Sequence, residues 1–273
     1  MQLGRAYLNA NRRDAASEVF AKAIALSPTP ATWNSVAYEL SLHGMDLDRA
    51  LQYEESALAV ATATARNLEL EHLDGRGLGT ISAIAAYWDT LGWIYFKKGD
   101  TSRAEKYVSA SWSLEQDAEV GDHLGQIFER QGRREDAVRL YAEAVSAENP
   151  FPDARAHLTA LVGEAHVDET VSKHASGLIS ARTVKLPSNK AVAGKRAEFF
   201  VLIGQPGRGE AVTFIEGDEQ LRPMTSALQL MPVVNVFPDD QPARIVRRGV
   251  AACSADGTCT FTMLLPTDAK PAK

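Results

Sequence analysis

The 273-residue sequence lacks long hydrophobic runs and contains only two cysteines. No stretch approaches the roughly 20 uninterrupted apolar residues that a helix needs to cross a bilayer, so no transmembrane segment is expected. The opening residues mix charged and apolar side chains and lack the apolar core of a signal peptide. Hydrophobic residues make up 45% and charged residues 23% of the chain, values that exclude a chain disordered throughout.

Motifs that carry catalysis or bind metals are also missing from the sequence. There is no Gly-x-Ser-x-Gly nucleophile motif and no His-Glu-x-x-His zinc motif. The six histidines are scattered, and none has the spacing that places two of them on one helix face. Asp122 and His123 are neighbours on a predicted helix and point about 100° apart, so they are not expected to pair with each other. We therefore predict a protein that is not an enzyme and that has no cofactor and no metal site.

Acidic residues outnumber basic ones, and the excess lies in the first half of the chain. Residues 1–150 contain 15 Lys and Arg against 22 Asp and Glu, a net charge of −7. The remainder contains 14 against 13, a net of +1, and −7 plus +1 gives the overall −6. Because an acidic surface repels phosphate backbones, no nucleic-acid partner is expected.

A pattern of small and aromatic residues recurs in the first half of the chain. Gly92 and Gly99 have counterparts in Gly125 and Gly132, and both offsets equal 33 residues (125 − 92 and 132 − 99). The same internal spacings occur near the N-terminus, from Leu3 onward. Apolar residues fall at helical spacing on either side of a short turn, which predicts two helices per unit. Small residues where the helices meet allow close approach, and tyrosine rings fill the space beside them.

This pattern resembles the tetratricopeptide repeat, whose period is about 34 residues. The resemblance implies a solenoid of helical hairpins over residues 1–150, with an insertion at about residues 58–84. Residues 151–181 are predicted to form capping helices or a linker. Because Met1 falls inside the first repeat, we expect further sequence upstream of it in the whole protein.

Beyond residue 182 the hydrophobic period changes from 3.6 to two, which favours strands. The predicted elements are strands at 197–204, 210–217, 243–254 and 258–266, and one helix at 218–231. Together they predict a small antiparallel β-sheet module with one helix over residues 182–266, followed by a disordered tail at 267–273. The predicted fold class is thus α plus α/β.

The order strand, strand, helix, strand, strand resembles the C-terminal domain of TonB-family proteins, as does the run from Phe237 to Cys253. Its combination with tetratricopeptide units also resembles the C-terminal region of bacterial envelope proteins that carry a transglutaminase-like part upstream. This second resemblance implies an alternative function, the accessory C-terminal part of a larger envelope enzyme. No catalytic part of that kind is recognisable in the sequence.

The two cysteines lie on opposite sides of the predicted final hairpin. If Asp256 is its centre, facing residues have numbers that sum to 512, so Cys253 opposes Cys259 and Ala251 opposes Phe261. Directly opposed Cβ atoms come within reach of a disulfide. We predict a Cys253–Cys259 disulfide, which indicates an oxidising compartment such as the periplasm. Two reduced thiols are the alternative, and a metal site is disfavoured because two sulfurs supply half of a tetrahedral shell.

The tetratricopeptide resemblance implies a concave groove that is lined by the first helix of each unit and binds an extended peptide. Helical periodicity places these residues there: Arg5, Asn34, Tyr38, Asp89, Trp93, Asp122, Gln126 and Arg130. Asp89 and Asp122 recur at one repeat position, and Tyr38 and Trp93 at another. An acidic, aromatic groove favours a basic or apolar partner segment. Alternatively, Trp93 packs against a neighbouring repeat and the aspartates cap or solvate helices.

Three arginines, Arg244, Arg247 and Arg248, cluster on one predicted strand. Their charge suits an edge strand that is protected against aggregation. Alternatively, they form a basic face that docks on an acidic partner, such as the repeat domain of the same chain.

These observations predict a non-catalytic scaffold for protein–protein interaction, located in the periplasm or cell envelope of a bacterium. A cytoplasmic scaffold is the alternative if the cysteines are reduced.

Overall fold

The computed structural model describes residues 1–265 except 206, 232, 234–236, 239, 241 and 242, so the predicted tail at 267–273 lies outside the described residues. Helices occupy the chain up to residue 181, and strands occupy much of the rest. The helices are α1 (Gln2–Asn9), α2 (Arg13–Leu26), α3 (Pro30–Leu42), α4 (Leu47–Ala65), α5 (Gly75–Lys97), α6 (Thr101–Glu115), α7 (Ala118–Arg130), α8 (Arg134–Val145), α9 (Pro152–Val162), α10 (Val167–His174) and α11 (Ser176–Ala181). The predicted helical solenoid followed by a small antiparallel sheet is confirmed.

Successive helices pack as hairpins because small residues occupy the points of closest approach. A Cβ atom at Gly92 of α5 would lie 2.5 Å from Val108 Cγ2 of α6. A Cβ atom at Gly125 of α7 would lie 2.4 Å from the ring of Tyr141 on α8. Both distances are shorter than van der Waals contact between carbon atoms, so glycine is required for these helices to meet.

The segment at 58–84 mainly lengthens two helices, and a short 3-10 helix (Leu70–His72) lies between them. Helix α4 continues to Ala65 and α5 begins at Gly75, so only residues 66–74 connect them. Asp74 caps α5, since its Oδ1 accepts hydrogen bonds from the backbone N–H groups of Arg76 (3.0 Å) and Gly77 (2.9 Å). The cap explains how a glycine-rich segment starts a helix.

The strands form one antiparallel sheet in the order β1-β5-β4-β2-β3. Their bounds are β1 (Thr183–Leu186), β2 (Arg196–Gly204), β3 (Arg208–Gly217), β4 (Ile245–Cys253) and β5 (Cys259–Met263). Strand β1 was not predicted, because four residues are too few to show a period of two. The register Cys253↔Cys259 and Ala251↔Phe261 confirms the predicted sum of 512.

The predicted helix at 218–231 is a 3-10 turn at Glu219–Met224 followed by the short helix α12 (Thr225–Gln229). Pro223 lies inside the 3-10 turn. Because proline has no backbone N–H and its ring crowds the preceding turn, a continuous α-helix does not form across it.

One hydrophobic cluster extends from the repeat helices into the sheet. Trp88, Tyr141, Phe199 and Phe261 are fully buried members of this cluster. A second cluster lies around Phe20 and joins the first two repeats to α5. The repeat helices and the sheet therefore share buried apolar surface.

Candidate protein-binding surface

The first helices of successive repeats lie side by side. Helix α5 packs against both α3 and α7, and α7 packs against α9. The predicted groove residues lie on four of these helices: Arg5 on α1, Asn34 and Tyr38 on α3, Asp89 and Trp93 on α5, and Asp122, Gln126 and Arg130 on α7. The ring of His123 on α7 is the point where three of the helices meet, with ring centroids 6.4 Å from Tyr38 and 3.9 Å from Trp93.

Three of the predicted groove residues lie beneath the surface instead of on it. Asp89, Trp93 and Asp122 are 7%, 3% and 1% exposed. The indole of Trp93 stacks on the imidazole of His123 with 14° between the ring planes. Trp93 thus packs against the neighbouring repeat, as the alternative interpretation held, and the aspartates bind histidines instead of capping or solvating helices.

Polar bridges connect three pairs of first helices one repeat apart, namely α1 with α3, α5 with α7 and α7 with α9. The bridges are Arg5 to Glu39 (Nε to Oε1, 2.7 Å), His123 to Asp89 (Nδ1 to Oδ1, 3.0 Å) and His157 to Asp122 (Nδ1 to Oδ1, 2.7 Å). Their sequence separations are 34, 34 and 35 residues. Residues Glu39, His123 and His157 were not predicted for this surface. In each bridge a carboxylate lies 34 or 35 residues from a basic side chain, and this spacing is the sequence signal that reveals these residues.

Buried and half-buried carboxylates shift the pKa values of Tyr38 and His123 in this region. The Tyr38 hydroxyl donates to the carboxylate of Glu119. Burial raises the pKa of Tyr38, and Glu119 and Asp89 raise it further, so the phenol stays neutral. Burial lowers the pKa of His123, but Asp89 and other nearby carboxylates outweigh it and the net pKa is raised. The protonated imidazole is therefore favoured between the repeats.

The open part of the surface consists of neutral polar and basic groups, with the half-buried carboxylate of Glu119 next to Tyr38. We call it the first-helix face and define it by half-buried Asn34, Tyr38 and Gln126 and exposed Arg5 and Arg130. Gln126 donates from Nε2 to the carboxylate of Asp122 below it, at 2.8 Å. Among the described residues, Asn34 Oδ1 has no hydrogen-bond donor. That oxygen is itself buried, so the face presents the half-buried hydroxyl and amide groups of Tyr38, Asn34 and Gln126 above carboxylates that are already bridged.

The arginines of β4 are not an exposed cluster on an edge strand. Strand β4 pairs with β5 on one side and β2 on the other, so the prediction of an edge strand is wrong. Arg248 binds Glu198 of β2 (2.6 Å), and Arg244 binds Glu210 of β3 (2.8 Å). Arg248 and Glu198 lie on neighbouring antiparallel strands, which place opposite charges side by side. Arg244 comes directly before β4 and reaches past β2 to Glu210.

Side chains of the sheet module also reach the repeat helices. Arg247, 4% exposed, donates from Nη1 to the backbone carbonyl of Leu114 near the end of α6. Asp240 accepts from the Tyr107 hydroxyl at 2.8 Å and pairs with Lys106 Nζ at 3.0 Å. The contacts involve both buried and half-exposed groups of α6.

The two cysteines form a disulfide in the structure, with their Cα atoms 4.0 Å apart. Cys253 is 4% and Cys259 0% exposed. The bond connects β4 and β5 at the end of their hairpin. In the described part of the chain, no three His, Cys, Asp or Glu side chains are grouped to hold a metal ion.

Comparison with known proteins identifies the repeats. Residues 122–154 match one tetratricopeptide repeat family, and residues 1–30 and 85–117 match a second family of the same description. The chain thus carries tetratricopeptide repeats, which support a protein–protein interaction scaffold. The unmatched second unit is the one whose helix α4 is extended. Neither family match extends into residues 182–266, where the resemblance to TonB stays a prediction.

Solved structures similar to this chain include the crystal structure of MamA and that of TTC0263, a thermophilic TPR protein in Thermus thermophilus. MamA is 14% identical with a TM-score of 0.39, over 66% of this chain and 95% of MamA. TTC0263 is 20% identical with a TM-score of 0.34, over 59% of this chain and 96% of TTC0263. No curated protein matches the sequence. Among the described helices, none has the length and apolar character needed to span a membrane.

Proposed function

We propose that the chain is a non-catalytic scaffold that binds an extended segment of another protein along the first-helix face. The observation that supports this most is the half-buried polar row of Asn34, Tyr38 and Gln126, which lies above the bridges between the first helices. An extended peptide carries backbone N–H and C=O groups that pair with polar side chains of this kind. The bridges between repeats hold the row in place before binding, which lowers the entropy cost of association.

A basic or apolar partner side chain suits the area around Tyr38. The Glu119 carboxylate that accepts from Tyr38 is half-buried, and Asp89 and Glu39 also lie close enough to raise the pKa of Tyr38. A cation next to the Tyr38 ring gains ring contact and a charge-assisted hydrogen bond to Glu119, while buried Asp89 and Glu39 add to the negative potential. Exposed Arg5 and Arg130 leave room for acidic groups of the partner at either end.

We further propose that the sheet module docks on α6 and that the whole chain acts in an oxidising compartment such as a bacterial periplasm. The hydrogen bonds of Arg247 to Leu114 and of Tyr107 to Asp240 support the docking. The Cys253–Cys259 disulfide supports the compartment, because disulfides persist in oxidising surroundings. Release of the protein with the periplasmic fraction of the native host tests the location, and its retention in the cytoplasm would contradict it.

Affinity capture from the native host tests the binding surface. The tagged full chain is compared with the double variant Asn34→Ala, Gln126→Ala and with a control, Gln52→Ala, Glu55→Ala, whose residues are exposed on the second helix α4. The double variant on the first-helix face should recover a specific protein in an amount lower by about tenfold or more, whereas the control variant should recover as much as the unmodified chain. Equal recovery of every bound protein by all three chains would contradict the proposal.

A further inference from the structure

A cavity of about 590 Å³ lies away from the first-helix face, where turns between repeats meet the C-terminal helices. It lies between the turn that joins α6 to α7, the segment after α8, and helix α11, and Ser82 of α5 and Leu265 also line it. Its volume falls within the range of small-molecule binding sites in proteins. None of the predicted groove residues lines it.

One wall of the cavity is polar and predominantly acidic. Three carboxylates, Glu115, Asp117 and Glu148, line it, against one cationic side chain, Arg182. The Arg182 guanidinium donates from Nη1 to the backbone carbonyl of Met263 at 2.9 Å. Glu115 has no ion pair within 4 Å among the described side chains. The wall therefore carries an excess of negative charge.

The surroundings of Glu115 disfavour the ionised form of its carboxyl group. Burial raises its pKa, and although a hydrogen bond from Ser82 lowers it, the net pKa is above the ordinary value. Asp117 adds a like charge nearby, while Arg247 acts in the opposite direction. A cation placed in the cavity would relieve both the desolvation and the repulsion between the two carboxylates.

Gln116 adds an unsatisfied acceptor to the same wall. The residue is 5% exposed, and its Nε2 donates to the backbone carbonyl of Leu178 at 2.8 Å. That carbonyl accepts hydrogen bonds only, so it fixes which end of the amide carries nitrogen. Oε1 is closed off from solvent and has no donor among the described residues. Such an acceptor requires an N–H or O–H donor.

The lining also has an apolar part. Leu178 and Ile179 of α11 belong to it together with Ala118 and Ala147. Ile179 is 57% exposed, which leaves a large side chain in contact with solvent at this site. An aliphatic chain covering it would remove apolar surface from water.

The geometry points to a binding site for an alkylammonium group, with the ammonium on the side of Glu115 and Gln116 and the alkyl chain against Leu178 and Ile179. Such a group is protonated at neutral pH and brings three N–H donors to the acidic wall. The same chemistry is carried by a free aliphatic amine and by a lysine side chain of a peptide. The two sources are separated by experiment.

Calorimetric titration of the full chain at neutral pH tests this site with cadaverine, and in a second arm with an end-capped peptide that contains one lysine. The neutral control is 1,5-pentanediol, which has the same carbon chain. Glu115→Gln and Glu148→Gln should each weaken binding, the former by about tenfold or more, whereas Glu55→Gln on α4 should leave it unchanged. Glu148 is exposed, so its substitution keeps the test valid if the first variant fails to fold.

Tighter binding of cadaverine than of the peptide would assign a free amine, and the reverse would assign a lysine side chain. The proposal is overturned if neither probe binds below about 10 mM. It is also overturned if the diol binds as well as the diamine, or if both glutamine variants bind like the unmodified chain.

Discussion

Replacing Gly92 with alanine tests whether the repeats pack through close contact between helices. The added methyl group would lie 2.5 Å from Val108 Cγ2, 3.0 Å from the backbone oxygen of Ala104 and 3.1 Å from the backbone N of Val108. Val108 is fully buried and β-branched, so its side chain has little freedom to turn away. Because two of the three contacts are with backbone atoms, α5 and α6 must separate to accommodate the change.

The change in the free energy of unfolding caused by Gly92→Ala is the difference of two opposing contributions. Overpacking a well-packed core costs up to about 3 kcal/mol. Alanine in place of glycine inside a helix contributes about 1 kcal/mol in the other direction, since it restricts the unfolded chain. The net loss is about 2 kcal/mol, which lowers the melting temperature by about 4–8 °C for a domain of this size class.

The matched control is Gly79→Ala in the same helix. Among the described residues, apart from the adjacent residues and the nearby backbone of its own helix, no atom lies within 4 Å of a Cβ at Gly79, so only the helix-propensity gain remains. Thermal unfolding followed by far-ultraviolet circular dichroism should show a lower melting temperature for Gly92→Ala and a higher one for Gly79→Ala. A Gly92→Ala chain that melts with or above the unmodified protein would refute the packing argument.

Three further changes have predictable consequences. Burial raises the pKa of Glu54, whose two carboxylate oxygens have no partner among the described residues; Glu54→Met should therefore raise the free energy of unfolding by about 1–3 kcal/mol. The stabilisation by Glu54→Met should be larger in thermal unfolding at about pH 8 than at about pH 5, because ionisation of Glu54 costs the folded state more as pH rises. A variant that is less stable than the unmodified chain at both pH values would contradict this. The raised pKa of His123 contributes stability that is present at low pH and is lost as pH rises through the folded pKa. Asp89→Asn should therefore destabilise more at about pH 6 than at about pH 9, and equal losses would argue against the pair. Replacing Cys253 and Cys259 by serine should cost about 2 kcal/mol in chemical denaturation, and two free thiols in the denatured, unreduced protein would disprove the disulfide.

Sequence patterns predicted those parts of the structure in which the contacting residues are close together along the chain. The spacing of Gly92 and Gly125 indicated hairpins because both helices of a repeat lie within one period. Centring the final hairpin on Asp256 predicted the pairing of Cys253 with Cys259, because a tight turn fixes the register of a hairpin. The position of β4 in the middle of the sheet depends on β2, about 50 residues away, and could not be derived from the strand alone.

The surface was harder to predict than the fold, because burial of a polar residue depends on its partner in another repeat. Helical periodicity placed Asp89 and Asp122 on the correct helices but did not show that His123 and His157 cover them. Trp93 is buried by the same neighbour. Pairing each polar position with the residue 34 or 35 positions later would have revealed the bridges.

The most direct test of the scaffold hypothesis is site-specific photo-cross-linking in the native host. A photoreactive phenylalanine derivative replaces Asn34 on the first-helix face or, in the control chain, Gln52 on α4, and the adducts are identified by mass spectrometry. If the first-helix face binds a partner, position 34 should give one specific protein adduct that is absent from position 52. No adduct at position 34, or the same adducts at both positions, would contradict it.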